Sequence, residues 1–147
     1  MKKTPAVLAV TAGFVLLTGF IGGCGGHHHG RDPAEVAAFV TDRLDDALDD
    51  LDATAAQRQQ LHAIKDRLLA GGQELRAGHR AARDEVLAQW RSETPDRARL
   101  HALVDQRIEA LRDFAHEAVD AGVDAHAALS PEQRAKVTRK IERHMER

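Results

Sequence analysis

An apolar line runs from Leu61 to Trp90 through Ile64, Leu68, Gly71, Leu75, Gly78, Ala82 and Val86. Its steps are mostly three and four residues, the period of one face of an α-helix. No proline interrupts it. The spacing predicts one continuous helix of about 36 residues, which is about 54 Å long at the helical rise. A compact globule of a chain this size is only about 35–40 Å across. A helix of that length does not fit inside such a ball, so the chain must be elongated. Glycine inside a helix costs about 1 kcal/mol relative to alanine. Gly71 and Gly78 nevertheless sit on the apolar line itself. Close approach of a second helix is the expected reason, and a kink at Gly71-Gly72 is the rival.

The ends of this helix and of three others are written in capping residues. Thr54-Ala55-Ala56-Gln57 has the form of a capping box, in which Thr accepts from the N3 amide and Gln reaches back to the N-cap amide. Upstream, Asp32 and Pro33 predict the start of a first helix over 33–51, with Val36, Val40, Leu44, Leu48 and Leu51 as its apolar stripe. Its other face carries Asp42, Asp45, Asp46, Asp49 and Asp50 and reads as a solvated acidic surface rather than a cation site, because no Ca²⁺-loop pattern accompanies it. Downstream, Ser92-Glu93-Thr94-Pro95 stops the long helix, and Thr94 with Pro95 predicts the N-cap and first residue of the next. A stripe of Leu100, Leu103, Val104, Ile108, Leu111, Ala115, Ala118, Val119 and Val123 carries that helix to about residue 127. A second capping box, Ser130-Pro131-Glu132-Gln133, opens a last, basic helix to about Glu146. Its cations suit the acidic first helix as a neighbour. The expected fold is all-α: an elongated antiparallel helical hairpin with two shorter helices. A single layer of helices leaves apolar surface open, which points to a homodimer or a binding face.

The N-terminus reads as an address. Lys2 and Lys3 precede Ala6 to Ile21, sixteen residues without charge, the pattern of a secretory signal. A membrane span needs about 20 such residues, so a retained anchor is the less favoured outcome. The tetrad Ile21-Gly22-Gly23-Cys24 resembles a bacterial lipobox, which makes Cys24 the candidate for lipidation; simple cleavage is the alternative. Each outcome places the rest of the chain in the periplasm, free or tethered to a membrane. The expected organisation is a signal over 1–23, a Gly/His-rich linker over 24–32 and a helical domain over 33–147. As the only cysteine, Cys24 has no partner for an internal disulfide.

Beyond residue 23 the chain carries 19 Lys and Arg against 23 Asp and Glu. That balance argues against a nucleic-acid partner, which calls for a basic excess on one face. Aromatic residues are reduced there to Phe39, Trp90 and Phe114, and strand formers are scarce.

The two [S/T]-x-x-Q boxes, 76 residues apart in an all-helical chain with an export signal, resemble the LTxxQ motif pair of the Spy/CpxP family. That family comprises envelope-stress chaperones and relatives that sense heavy metals. "LSPEQRAKV", from Leu129 to Val137, is a close copy with Ser for Thr; "ATAAQRQQL", from Ala53 to Leu61, has Ala53 where the motif has Leu. The resemblance spans roughly residues 33–146 and makes Thr54, Gln57, Leu129, Ser130 and Gln133 the motif positions. It implies a cradle-like antiparallel dimer that binds unfolded client proteins without ATP, and it allows a sensor kinase as a further partner. The capping chemistry itself gives these residues a structural role.

Histidine raises a metal alternative. His27, His28 and His29 stand in a Gly-flanked tract, and such tracts bind Zn²⁺, Cu²⁺ or Ni²⁺ through neutral imidazole. Three consecutive histidines do not easily reach one ion, and a lipidated Cys24 offers no thiolate beside them. His62/Asp66, His101/Asp105 and His116/Asp120 are i,i+4 pairs, read first as surface hydrogen bonds. "HEAVD", from His116 to Asp120, lacks the second His of a zinc-protease motif, and Asp113-Phe114-Ala115-His116 has no second copy to complete a di-iron centre. No nucleophile elbow, P-loop or dinucleotide fingerprint is present, so no enzyme is expected and no cofactor is required. The sequence therefore leads to a periplasmic, ATP-independent chaperone or envelope-stress adaptor, with heavy-metal sensing or buffering as the alternative.

Overall fold

The computed structural model describes residues 32–146. Four helices follow one another: α1 (Pro33–Asp50), α2 (Ala55–Arg91), α3 (Arg97–Ala128) and α4 (Pro131–Met145). No strand occurs among the described residues, so the fold is all-α. The expected signal (1–23), Cys24 and the His27–His29 tract lie outside the described residues.

The long helix is continuous across Gly71-Gly72, with 37 residues and a length of about 56 Å. Its buried residues, Leu61, Leu68, Leu75 and Ala82, recur every seventh position. That is the seam of a coiled-coil-like pair, and α3 is the helix packed against it. The pairing is antiparallel and holds one register along its length. Ile64 packs against the buried cluster that joins Leu68 of α2 to Ala118 and Ala121 of α3. Further along, Gly71 meets Phe114 and Gly78 meets Arg107, while Glu85 accepts a hydrogen bond from Arg99. Each central layer sets a large residue against a small one. A Cβ on Gly71 would stand 3.0 Å from the Phe114 ring, and one on Gly78 would stand 3.0 Å from Arg107 Cζ. The glycines are there to let α3 come close, as their place on the apolar line suggested. Arg107 uses the space to donate from Nη2 to the Leu75 carbonyl at 3.0 Å.

Local chemistry ends each helix. At the end of α1, Asp52 adopts a left-handed conformation (φ 52°). Ala53 N donates to Leu48 O at 2.9 Å and Asp52 N to Asp49 O at 3.0 Å, the two bonds of a Schellman turn. The chain reverses there, and α1 runs back along α2. Asp49 meets Arg58 at 2.6 Å, Asp45 meets His62 at 2.9 Å, and Thr41 accepts from Lys65 at 2.9 Å. Between α2 and α3 the expected cap moves by two residues. Asp96, and not Thr94, is the N-cap of α3, accepting from Arg99 N at 3.0 Å. Pro95 therefore lies before the helix and not in its first turn. The reason is local: Asp96 N donates to Gln89 Oε1 at 2.8 Å, and Thr94 N donates to Ser92 Oγ at 3.2 Å. Those two bonds use the amides within the turn.

The core gathers at the end where α1 meets α2 and α3 meets α4. Leu48, Leu51, Leu61 and Leu129 form one buried cluster, with Leu44, Ala53, Ile64, Ala125 and Val137 packed around it. Leu48 is only 1% exposed. All four helices contribute to this cluster, and every helix cap is made within residues 32–146. Among the described residues, the other end of the hairpin is α2 and α3 alone.

Two glycines give opposite expectations. A Cβ on Gly122 meets nothing within 4 Å, so Gly122→Ala should raise stability by about 1 kcal/mol. Gly78→Ala has the same intrinsic gain, but its methyl displaces the Arg107 guanidinium. Denaturant unfolding should show a clear difference between the two; equal gains would remove the close approach as the reason for Gly78.

Candidate functional site: the cross-braced caps and the open face

Thr54 is the N-cap of α2 and Ser130 the N-cap of α4, and both capping boxes are complete. Gln57 N donates to Thr54 Oγ1 at 3.3 Å, and Thr54 N donates to Gln57 Oε1 at 2.9 Å. In α4, Gln133 N donates to Ser130 Oγ at 3.3 Å, and Ser130 N donates to Gln133 Oε1 at 2.8 Å. The glutamine carbonyl oxygens serve their own helices, which leaves the amide nitrogens for other partners. Gln57 Nε2 donates to the Ala128 carbonyl at 2.9 Å and to Gln133 Oε1 at 2.9 Å. Gln133 Nε2 donates to the Leu51 carbonyl at 3.0 Å and to Gln57 Oε1 at 3.2 Å. Each glutamine thus caps the helix it begins and binds a carbonyl at the end of the helix preceding the other box. The two boxes are related by an approximate two-fold arrangement and close all four helix ends at once.

Burial makes this clasp matter. Gln133 is the buried polar residue among the described ones, and no buried side-chain nitrogen or oxygen there lacks a partner. Leu129 seals one side of it from within the core cluster, and Ala53, at the corresponding position of the first box, packs on the same cluster. Arg134 adds bonds to the Leu129 carbonyl at 2.7 Å and the His126 carbonyl at 3.3 Å, closing the last turn of α3. Ion pairs then tie α4 to the end of α1 and the turn after it: Lys140 with Asp50 at 2.7 Å and Lys136 with Asp52 at 3.5 Å.

The structure separates the histidines. His62 binds Asp45 of α1, not Asp66, which pairs with Lys65. The reason is that α1 lies against that face of α2 and presents a carboxylate directly to the imidazole. No hydrogen bond joins His101 to Asp105 or His116 to Asp120 among the described residues. His116 lines an open groove of about 630 Å³ with Asp113, Glu117 and Asp124, across which Arg67 bridges to Glu117 and Asp124. Among the described residues no group of three or more His, Cys, Asp and Glu is disposed to hold a metal ion.

The feature that spacing alone hid is on α3. Its apolar stripe is too wide for one contact. Ala118 and Ala121 are buried against α2, whereas Val104, Ile108, Leu111, Val119 and Val123 are 49% to 63% exposed. Their spacings of four, three, eight and four are whole helical turns or close to them and place them on one face. Counting apolar positions identifies such a stripe but does not say which half α2 covers.

The fold is thus an all-α hairpin closed at one end by two cross-braced [S/T]-x-x-Q caps, with an open apolar face along its third helix. The chain belongs to the heavy-metal resistance family, whose model matches residues 6–136. That family is related to the Spy/CpxP-type helical proteins. Searches of the curated proteins and of the solved structures gave no match.

Two outcomes are expected. Gln133→Ala should cost about 2 kcal/mol, because it removes a cap bond and leaves the buried Leu51 carbonyl without its donor. Gln57→Ala should cost less, and the double mutant should show a coupling of about 1 kcal/mol in a double-mutant cycle. Purely additive losses would mean that the two boxes act separately. The second outcome concerns Asp50. A hydrogen bond from Lys140, reinforced by its charge, holds the Asp50 carboxyl below the ordinary 3.8. The folded value is the depressed one, so the pair's contribution is complete above pH 3.8 and is lost as the pH falls through the lowered value. Asp50 is largely exposed, so salt should weaken the same contribution at neutral pH. Asp50→Asn should remove both the acid and the salt sensitivity of this contact, measured by unfolding at several pH values and salt concentrations.

Proposed function

We propose that this chain is exported and acts in the periplasm as an ATP-independent binder of partly unfolded proteins, an envelope-stress chaperone or adaptor that serves metal resistance. The open apolar face of α3 carries the reading. An unpartnered apolar row on a helix of this length is a binding surface by default. Charged side chains flank it, including Arg112 and Asp120, so a client segment meets apolar and polar groups together and is released without an energy source. A second copy of the chain covers part of the row in the resting state. Cys24 or the apolar segment before it tethers or delivers the protein, and the clasp at Gln57 and Gln133 keeps the hairpin rigid enough to present the face.

The test is aggregation of a chemically unfolded model protein with and without the helical domain. Suppression at a few-fold molar excess is expected. Val119→Asp with Val123→Asp should reduce it several-fold while circular dichroism stays unchanged. Absence of any suppression by the unaltered domain rejects the reading.

The family match to heavy-metal resistance favours a second reading, in which the His27–His29 tract binds Zn²⁺, Cu²⁺ or Ni²⁺ for sensing or buffering. It requires tight binding by calorimetry that is lost when the three histidines are replaced. Binding no tighter than that of the replaced variant removes it.

A further inference from the structure

At the free end of the hairpin the open row of α3 continues into a face that also carries basic residues and an indole. Trp90, the chain's only tryptophan, is 84% exposed there. On α2 the residues one position beyond the seam are His79, Arg83, Val86 and Trp90; on α3 they are Arg97, His101, Val104 and Ile108. Both rows step by four, three and four. In an antiparallel pair, equal offsets from the seam point to the same side, so the two rows make one surface. All eight residues are exposed and none is acidic. The surroundings share the sign: between Arg76 and His101 the chain has six arginines against four carboxylates, whereas the rest has fifteen Lys and Arg against nineteen Asp and Glu. Two of the four carboxylates are engaged, Asp84 by Arg83 and Glu85 by Arg99.

We propose that this end of the hairpin docks on an anionic lipid surface, with Trp90 and its apolar neighbours entering the headgroup region and the arginines meeting lipid phosphates. The indole ring, apolar in body with one N–H donor, belongs at such an interface. An amphipathic surface that combines basic and large apolar residues binds a membrane by both contributions. Reach favours lipid over an acidic polypeptide. The contacts Asp49–Arg58, Asp45–His62 and Thr41–Lys65 put Pro33 level with about residue 74 of α2, and from there Trp90 is about 24 Å farther along the helix. A tether at Cys24 would leave residues 24–32 between the lipid and the domain, a span of up to about 30 Å when extended. The tethered chain can therefore lay its free end on the membrane that holds it. The inference goes beyond client binding: Val104 and Ile108 are shared with the open row of α3, whereas Trp90, Arg83 and Arg97 lie outside it.

The helical domain without residues 1–31 isolates the face from any tether, since its caps and core are self-contained. The sole tryptophan is its own reporter. With vesicles of phosphatidylcholine and phosphatidylglycerol at low salt, Trp90 fluorescence should move to shorter wavelength, and about 0.5 M salt should reverse the shift. Vesicles of phosphatidylcholine alone should leave it unchanged. Arg83→Glu with Arg97→Glu should abolish the shift while circular dichroism and client protection persist. No shift with anionic vesicles, or the same shift with neutral ones, overturns the proposal. An equal shift on adding polyglutamate without lipid also overturns it, because the face would then be a site for acidic polypeptide.

Discussion

Two glutamine side chains decide how the closed end of this protein is built. A helix start leaves backbone N–H groups without partners, and a helix end leaves carbonyls without partners. Gln57 and Gln133 answer both needs from one amide each. Oε1 accepts from the N-cap of the glutamine's own helix, and Nε2 donates to a carbonyl at the end of the helix before the other box. The packing of Leu48, Leu51, Leu61 and Leu129 follows from that closure, because the clasp brings the four helix ends together beside them. An apolar residue at either glutamine would leave buried backbone groups unpaired, at a cost comparable to a lost hydrogen bond for each.

Away from the clasp the hairpin depends on shape. Contact of Gly71 with Phe114 and of Gly78 with Arg107 sets the register of α2 against α3. A shift by one turn would place Phe114 against a side chain larger than glycine. The seam is narrow because its small residues are small, and a narrow seam covers only part of α3. The open row from Val104 to Val123 is the direct consequence. The binding surface proposed for unfolded clients and the tight glycine contacts are thus two results of one packing choice.

The ends of the hairpin differ in chemistry as well as in support. Four helices and the buried clasp stabilise one end, and ion pairs such as Lys140–Asp50 secure α4 at its surface. Exposed pairs of that kind contribute little each and serve mainly to orient. Trp90, Arg83 and Arg97 occupy the other end, where, among the described residues, only two helices meet. A closed end and an exposed basic-apolar end are thus linked by one open apolar row.

The sequence by itself determined the elements. Helix number, the 37-residue length of α2, the two capping boxes and the role of Gly71 and Gly78 were legible because each depends on residues within a few turns. The start of α3 was less so, since Thr94 and Asp96 are both good caps, and a bond from Asp96 N to Gln89 seven residues back settled the choice. Tertiary structure alone decided the rest. The second donor bond of each glutamine reaches across 71 or 82 residues of chain, which no local pattern encodes. His62 chose Asp45 over Asp66 because a neighbouring helix supplied the nearer carboxylate. The apolar stripe of α3 had two halves, and only the arrival of α2 determined which was buried and which was left exposed.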